Sequence, residues 1–564
     1  MPVSRYLPHT VTGGNARRNA RSVDRALQRA ATYAHPAGRI RRIETHLSIV
    51  YLAGRYVYKI IKPVKLGFVD LTRAERRRRC AQAGCTLNRP LAGPLYLGVQ
   101  PLVAHGRLNA FGSDVRSRPK GGRFNDASLE YVVRMRRFDA DAVLSARCRR
   151  HDEGLADADA LAAALAHYHL HAPRRAPHAG FGSAGCVTAQ CLPLLDELDA
   201  TVASEAALRT WIEAELERIA PRLDERHRNG FVRACHGDLH LDNIVRWRGR
   251  LLMFDCIEFD DSLRWIDVAS DLSFALMDYS AHGRDDCAHR LLAGWLALTG
   301  DHGALDVLPF FKAYRALVRA LAARLRGDDA ERTRYVRIAM DVVAHRRDVR
   351  PSLLLCHGVS GSGKSVASLA LAGRLDAIRL SSDVERKRLA GCPEAARLPD
   401  AAYSDAAIDG VYDHLLEHAK TVLESGHTAI VDATFLHERN RAAFIALANR
   451  LQVRVIILAF SASPVMLHAR VAARAAQRRG ASDADTAVLA GQLAQAEPLT
   501  DAERALAIRF DTGVEPAAYE GDAFWSPLLA TLADDASSGY ARRQGCRRGH
   551  VGGQARDAAL DKSV

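Results

Sequence analysis

Residues 352–375 carry the pattern that most restricts how this chain can fold. An apolar run, 352–356, leads through His357 into Gly358-Val-Ser-Gly-Ser-Gly-Lys364-Ser365, and a helical pattern follows over 366–375. The spacing G-x-x-x-x-G-K-S needs its glycines because the backbone amides must turn inward around a phosphate chain at the N-terminus of a helix. The sequence therefore predicts a strand–loop–helix unit that binds the phosphates of a nucleotide.

Individual residues of this loop have separate predicted roles. Lys364 supplies a full positive charge to the outer phosphates, and the hydroxyl of Ser365 is a ligand for Mg²⁺. ATP and Mg²⁺ are therefore the expected cofactors. The predicted nucleotide-binding residues of the loop are Gly358, Ser360, Gly361, Ser362, Gly363, Lys364 and Ser365.

The chain beyond the loop alternates between apolar and helical segments. Apolar segments at 377–380, 428–431 and 453–460 are separated by helical ones. Continuous apolar strands with helices between them indicate a parallel sheet covered on both faces. We predict a P-loop α/β/α domain over 347–534, with a boundary where Asp348-Val-Arg-Pro351 interrupts a helical pattern.

Charged residues follow two of these strands and recur on a later helix. Asp383 can accept a proton from a substrate hydroxyl, or it can cap a helix. Asp432 is a candidate for the Mg²⁺ shell, again with a helix cap as the alternative. Arg470, Arg474 and Arg478 recur every four residues, so they form either a lid over the transferring phosphate or a solvated basic face.

The order GVSGSGKS, SSDVERKRL, VDATFLHERNR and ARVAAR resembles the small P-loop kinases of the gluconate kinase, polynucleotide 5′-kinase and zeta-toxin type. The resemblance implies phosphoryl transfer from ATP to a hydroxyl group. It gives catalytic roles to Lys364, Asp383 and the lid arginines Arg470 and Arg474, and it places Arg386 against the substrate. The motifs do not identify that substrate.

A second group of candidate residues lies in His236-Gly-Asp238-Leu-His-Leu-Asp-Asn243. In a loop with the spacing H-x-D-x-x-x-x-N, Asp238 orients and deprotonates an acceptor hydroxyl while Asn243 holds Mg²⁺. Asp255 directly follows the apolar run 250–254 and is predicted to be a further metal ligand. A turn rich in Asp and Asn is the structural alternative.

This stretch resembles the aminoglycoside phosphotransferase-like kinases, whose signature is HGDLHxxN. The resemblance implies a protein-kinase-like α+β fold over 41–346 and assigns Lys59 to the ATP phosphates. It also implies that Asp267 or Asp271 braces the catalytic loop. Kinases of this shape pair the strand lysine with a helix glutamate, but the predicted helix offers only Glu75, near its start. The partner of Lys59 therefore stays open.

Taken together, residues 40–530 resemble the bacterial two-domain proteins called bifunctional aminoglycoside phosphotransferase/ATP-binding proteins. The segments that carry this resemblance are ETHLS, YVYKIIKPV, GFVDL, LNRPLAGPLYLG, HGDLHLDN and the P-loop half of the chain.

Composition limits the remaining classes. The net charge of +14 is explained either by a nucleic-acid partner or by an arginine-rich composition with basic ends, and we favour the second explanation. We predict disorder over 1–40 and 535–564. No apolar run reaches the roughly 20 residues that a membrane span needs. The 11 cysteines contain no C-x-x-C pair, which indicates reduced thiols in a cytoplasm.

The sequence thus favours an enzyme with two ATP-dependent kinase modules that act on a hydroxyl of a small molecule. Two alternatives stay open: a nucleotide-dependent RNA-binding or regulatory protein, and a polynucleotide 5′-hydroxyl kinase.

Overall fold

The computed structural model describes residues 9–533 except for 11–13, 46, 67–68, 104–127, 153, 175, 177, 200–201, 349, 394–395 and 478–481. The chain divides into two compact units, Met1–Val349 and Arg350–Val564. Within the described ranges, no helix combines the length and the apolar character that a membrane-spanning segment needs.

The first unit combines antiparallel strands with a largely helical second half. Its strands are β1 His9–Thr10, β2 Arg41–Glu44, β3 Ser48–Ala53, β4 Tyr56–Ile61, β5 Val64–Leu66, β6 Val69–Asp70, β7 Tyr96–Val103, β8 Ser128–Arg136, β9 Val232–Ala234, β10 Ile244–Trp247, β11 Arg250–Met253 and β12 Trp265–Asp267. Its helices are α1 Gly14–Leu27, α2 Ala74–Leu87, α3 Arg89–Ala92, α4 Leu144–Arg149, α5 Leu155–His171, α6 Ala184–Leu195, α7 Ala203–Arg228, α8 Val268–Ala281, α9 Asp285–Thr299, α10 Leu308–Arg326 and α11 Asp329–Asp348.

The main sheet of the first unit has the strand order β2-β3-β4-β8-β7 and is antiparallel throughout. A hairpin joins β3 to β4 through Gly54, whose φ is +57° and whose Cβ, if present, would lie 2.5 Å from the carbonyl oxygen of Pro36. Two smaller pairs, β9 with β12 and β10 with β11, bracket the segment His236–Asn243. The α+β class predicted for this unit is confirmed.

The prediction of disorder over residues 1–40 is wrong for the part that the structure describes. Helix α1 places Val23 and Leu27 in a buried cluster with Tyr51 and Tyr58 of the main sheet. Asp24 accepts a hydrogen bond of 2.5 Å from the hydroxyl of Tyr51. The apolar residues recur at helical spacing among arginines, so the basic composition concealed an amphipathic helix. The predicted tail, 535–564, lies outside the described residues.

The second unit is built on five parallel strands in the order β14-β15-β13-β16-β17. These strands are β13 Ser352–His357, β14 Ile378–Ser381, β15 Ala429–Asp432, β16 Arg454–Ser461 and β17 Ala507–Asp511. The helices are α12 Lys364–Leu375, α13 Ser382–Leu389, α14 Asp405–Glu424, α15 Glu438–Leu451, α16 Pro464–Gln477, α17 Thr486–Gln495 and α18 Asp501–Ala505. Residues 522–533 are also helical.

The predicted parallel α/β sheet of the second unit is confirmed, and the four predicted strands are present. The fifth strand, β17, was not predicted because it is an edge strand with an exposed arginine, Arg509, in its centre. Phe510 of this strand packs with Phe460, Trp525 and Leu528 in the core. The short edge strand is therefore held by the aromatic cluster beside it.

Replacing a buried residue of α1 tests the correction to the N-terminal segment. We expect Leu27→Ala to lower the free energy of unfolding of the first unit by about 2–5 kcal/mol, because the substitution leaves a cavity in a packed core. Urea unfolding measures this difference. The exposed neighbour Arg29 provides the control, since Arg29→Ala removes no buried side chain. Equal stability of the two variants would show that α1 does not pack in solution.

Candidate functional site

The loop between β13 and α12 depends on glycines at two close approaches. Gly358 has a φ of +142°, and a Cβ there would lie 2.6 Å from the carbonyl oxygen of Phe460. Gly361 has a φ of +84°, and its Cβ would lie 2.8 Å from the carbonyl oxygen of Leu467. These distances are too short for any side chain. The loop therefore adopts the tight turn that the motif predicts, directly before the first residue of α12, Lys364.

Several side chains bind the backbone of this loop, among them Lys364 and Gln492. Lys364 Nζ donates a hydrogen bond of 3.0 Å to the carbonyl oxygen of Val359, and burial lowers the pKa of its amine. The amide of Ser360 donates a hydrogen bond of 2.7 Å to Oε1 of Gln492 in α17. Gln492 thus satisfies a backbone donor at the tip of the loop. It was not predicted, since its contact spans more than 130 positions of the chain.

A cavity of about 720 Å³ opens beside the loop. Its walls include the loop, the C-terminal end of β15, and helices α13, α16 and α17. The sequence-predicted residues that line the cavity are Ser360, Gly361, Gly363, Lys364, Ser365, Asp383, Arg386, Asp432, Arg470 and Arg474. Of the other two loop residues, Ser362 is buried, and Gly358 packs against β16.

The two predicted acidic residues differ in their surroundings. Asp383 lies in the first turn of α13, half-buried at the cavity wall, whereas the N-cap position belongs to Ser381. The helix-cap alternative for Asp383 is therefore not what the structure contains. Asp432 is buried at the end of β15 and forms an ion pair with Arg379 of β14.

The arginines of α16 contact backbone around the cavity. Arg470 donates a hydrogen bond of 2.6 Å to the carbonyl oxygen of Thr512 and one of 3.3 Å to that of Gly361. Arg474 donates one of 3.3 Å to the carbonyl oxygen of Ala484. Both are half-buried, so neither belongs to a purely solvated basic face. Arg478 lies outside the described residues.

An acidic residue after α16 connects this region to the opposite wall of the cavity. Asp483 accepts hydrogen bonds from Lys387 Nζ at 3.0 Å, from the amide of Leu398 at 3.1 Å and from the hydroxyl of Tyr403 at 2.6 Å. Arg386, on the same wall, lies 4.9 Å from the ring of Tyr403. Sequence analysis missed Asp483, because its three partners lie 80 to 96 positions away in the chain.

In the first unit, the loop 236–243 is braced by a buried aspartate. Asp271 accepts hydrogen bonds from the amide of His236 at 3.1 Å and from that of Gly237 at 2.8 Å. Asp267 instead pairs with Arg226 and caps α8 through the amide of Ala269. Of the two residues predicted to brace the loop, Asp271 contacts it directly.

Asp238 and Asn243 meet within this loop. Asn243 Nδ2 donates hydrogen bonds to the backbone oxygen of Asp238 at 2.9 Å and to its Oδ2 at 3.1 Å. Burial tends to raise the pKa of Asp238, but His240, 3.3 Å away, and Arg319 outweigh it, so the net effect lowers the pKa. The carboxylate is 38% exposed. The carboxylate of Asp238 is therefore ionised at neutral pH and accessible to solvent.

Lys59 and Asp255, two candidate residues from different segments, lie in direct contact. Lys59, on β4, forms an ion pair with Oδ1 of Asp255. Asp255 lies two residues after the end of β11, and its backbone is in the left-handed conformation, with a φ of +67°. The amide of Asp255 donates a hydrogen bond of 3.1 Å to the hydroxyl of Tyr96. A second carboxylate, that of Glu258, lies 3.6 Å from Lys59 Nζ. Sequence analysis did not single out Glu258.

Two further groups of potential metal ligands occur among the described residues, and both are used internally. In the group of His169, Cys235 and Asp271, the histidine contacts Asp271 at 3.2 Å. In the group of Glu385, His414 and His418, Arg388 donates to Glu385 at 2.6 Å and contacts Nε2 of His414 at 2.7 Å. A guanidinium already supplies the positive charge in that group.

The histidine before the P-loop gives a pH-dependent test of the second unit. Burial, together with Arg441 and Lys364, lowers the pKa of His357 from 6.5 to about 4. The unfolded chain therefore binds this proton first, so His357 makes folding less favourable as the pH falls from 6.5 towards 4. We expect His357→Gln, which cannot titrate, to reduce the loss of melting temperature between pH 7 and pH 5.

The matched control is His468→Gln, because His468 is exposed on α16. This variant should keep the pH dependence of the original protein. Calorimetric melting curves of the three proteins at both pH values measure the effect, and identical pH dependence in all three would mean that His357 is not buried in its neutral form.

Two family models match the chain. Residues 109–308 match the phosphotransferase enzyme family, and residues 353–499 match a family described as AAA domain. Protein Rv2004c of Mycobacterium tuberculosis is 31% identical over 468 residues, which cover 80% of this chain and 89% of that protein. Protein Mb2027c of Mycobacterium bovis matches with the same identity and coverage.

Solved structures also resemble the two units separately. A gluconokinase from Sinorhizobium meliloti 1021 is 20% identical and covers 34% of this chain and 98% of its own, with a TM-score of 0.24. The GDP complex of aminoglycoside 2′-phosphotransferase-IIIa is 14% identical and covers 57% of this chain and 99% of its own, with a TM-score of 0.36.

Proposed function

This chain belongs to the family of the mycobacterial protein Rv2004c and joins an aminoglycoside phosphotransferase-like domain to a P-loop kinase domain, and from that premise we propose that each domain transfers the γ-phosphoryl group of ATP to a hydroxyl group of a small molecule. The protein is a kinase. The observation that carries the proposal is the convergence of Lys364, Asp383, Arg470 and Arg474 on one cavity.

In the second unit, the amides of the P-loop and the amine of Lys364 would hold the phosphates of ATP. The oxygen of the acceptor hydroxyl bonds to the γ-phosphorus, while Asp383 accepts the proton of that hydroxyl. The bond from that phosphorus to the bridging oxygen breaks, and ADP leaves. Arg470 and Arg474 stabilise the charge that develops on the transferring group, and Arg386 contacts the acceptor.

The first unit would perform the same transfer with a different set of residues. Lys59 binds the phosphates, and Asp238 accepts the proton of the acceptor hydroxyl. The low pKa of Asp238 keeps its carboxylate ionised and ready to accept a hydrogen bond from that hydroxyl.

Magnesium fits the oxygen donors of both sites. Asn243 and Asp255 would hold it in the first unit, and Ser365 with Asp432 in the second, because Mg²⁺ prefers hard oxygen ligands. When bound, it neutralises charge on the phosphates. In the second unit, Asp432 would share its carboxylate between Mg²⁺ and Arg379.

We also infer that the protein works in a reducing compartment such as the cytoplasm. The ten cysteines within the described residues are free thiols, and most of them are buried. Proteins of oxidising compartments tend instead to pair their cysteines in disulfides.

Replacing the P-loop lysine tests the second site. We expect Lys364→Ala to lower ATP turnover by the second unit by at least about a hundredfold, because the outer phosphates lose their principal positive charge. Release of ADP measures turnover. Arg450→Ala, which removes a charge from an exposed end of α15, is the control and should turn over normally. Full turnover by Lys364→Ala would refute the assignment of this site.

Asp238→Asn tests the first site without changing the shape of the side chain. We expect it to abolish phosphoryl transfer by the first unit, since an amide cannot accept the hydroxyl proton. Transfer of labelled γ-phosphate is measured across sugars, aminoglycosides, nucleosides and 5′-hydroxyl oligonucleotides, with Asp152→Asn as an exposed control.

Comparing γ-phosphate transfer by the Lys364→Ala chain with transfer by the Asp238→Asn chain identifies the unit that uses each acceptor. An acceptor of the second unit loses its label in the first variant, and an acceptor of the first unit loses it in the second variant. Labelling of an oligonucleotide alone would favour the polynucleotide kinase alternative. Unchanged transfer to every acceptor by Asp238→Asn would remove this residue from the mechanism.

A further inference from the structure

The strand lysine of the first unit has two carboxylate neighbours with different surroundings. The side chain of Lys59 is 15% exposed, and its amine contacts both Asp255 and Glu258. The carboxylate of Asp255 is 41% exposed, whereas that of Glu258 is only 11% exposed. Glu258 therefore forms the inner wall of the lysine site, and Asp255 forms the side that faces solvent.

Helix α2 runs past this lysine without an acidic partner for it. Its one acidic residue is Glu75, in the first turn, which binds Arg78 at 2.6 Å and Arg79 at 3.1 Å. Further along α2, the position that faces the lysine site is Gly84. No atom of α2 therefore neutralises Lys59.

Gly84 faces the side chain of Glu258 with room for a Cβ at van der Waals distance. A Cβ at residue 84 would lie 3.8 Å from Cγ of Glu258 and 3.9 Å from its Cβ and Cδ. One turn earlier on the same face of α2, burial and the neighbouring Glu258 raise the pKa of Cys80 to about 11. The carboxylate thus lies over the face of α2 on which a helix glutamate would otherwise stand.

The two residues before Glu258 anchor its backbone to two different segments. The amide of Cys256 donates a hydrogen bond of 3.0 Å to Oδ1 of Asn88, the residue that ends α2. The amide of Ile257 donates one of 3.1 Å to the carbonyl oxygen of His236 in the loop that holds Asp238. Glu258 is therefore fixed both to α2 and to the proposed catalytic loop.

We propose that Glu258 is the positioning residue for Lys59, supplying from the segment after β11 the carboxylate that helix α2 lacks. The inference rests on the proposed ATP site of the first unit. If Asp255 held Mg²⁺, its contact with Lys59 would weaken, and Glu258 would retain the amine in its orientation towards the phosphates.

The proposal can be tested by nucleotide binding, with no knowledge of the acceptor. The full-length chain with Lys364→Ala serves as the background, so that the first unit provides the site that is measured. Calorimetric titration with ATP and Mg²⁺ should show that Glu258→Gln raises the Kd about tenfold, because the lysine amine loses one of the two carboxylates paired with it. The Kd for adenosine, which has no phosphate, should not change.

Four further variants separate positioning from structural support. Gly84→Glu combined with Glu258→Ala returns a carboxylate from α2 and should restore the Kd for ATP to within about threefold of the background. In a Lys59→Ala chain, Glu258→Gln should have no further effect, because its influence acts through the lysine. Glu75→Gln is the matched control and should bind ATP normally.

If Glu258→Gln unfolds the unit, Glu258→Asp, which withdraws the carboxylate by one methylene, should give a smaller rise in the Kd for ATP, of about threefold.

Each other outcome is informative. Unchanged ATP binding by Glu258→Gln, or an equal loss of ATP and adenosine binding, would overturn the role of Glu258 while leaving the ATP site intact. A single binding site in the original protein that disappears with Lys364→Ala would overturn the proposed function of the first unit and this inference with it.

Discussion

Close backbone packing around the P-loop is the constraint on which the second unit depends. Gly358 lies against a carbonyl oxygen of β16, and Gly361 lies against one of α16. Arg470 then binds the carbonyl oxygen of Gly361, so the helix with the arginines is attached to the phosphate loop itself. The loop, the central strands and α16 consequently form one packed body, in which the positive charges surround the cavity at fixed positions.

In the first unit, buried polar groups hold the loop 236–243 in place. Asp271 has no exposed surface, and its burial would be costly without partners. The amides of His236 and Gly237 and the ring of His169 supply those partners, and they outweigh burial in lowering the pKa of Asp271. The carboxylate thereby holds the loop in a single shape that presents Asp238 and Asn243 together.

Local patterns were enough to predict much of this architecture. The glycine spacing before Lys364, the apolar strands around it and the spacing from His236 to Asn243 all encode short-range geometry. Asp255 could be singled out because it follows a recognisable apolar run, whereas Lys59 was assigned through the resemblance to aminoglycoside phosphotransferase-like kinases. Helix α1 was missed because its arginines dominate the composition, although Val23, Ala26 and Leu27 have helical spacing.

Contacts between distant segments could not be predicted in this way. Glu258 meets Lys59 across 199 positions, and nothing in the local sequence shows that the two face each other. Gln492 and Asp483 likewise act on segments far away in the chain. Such partners depend on how helices and strands pack, and a pattern read along one segment holds no information about the segment that packs against it.

The location of Glu258 has a consequence for control of the enzyme. Where the partner of the strand lysine is carried by a mobile helix, an outward swing of that helix breaks the ion pair and switches the kinase off. Here the carboxylate belongs to the segment that also carries Asp255, and α2 contributes only a glycine at that point. The ion pair therefore joins this segment directly to the strand of Lys59, and a movement of α2 would reach it only indirectly, through the hydrogen bond between Cys256 and Asn88.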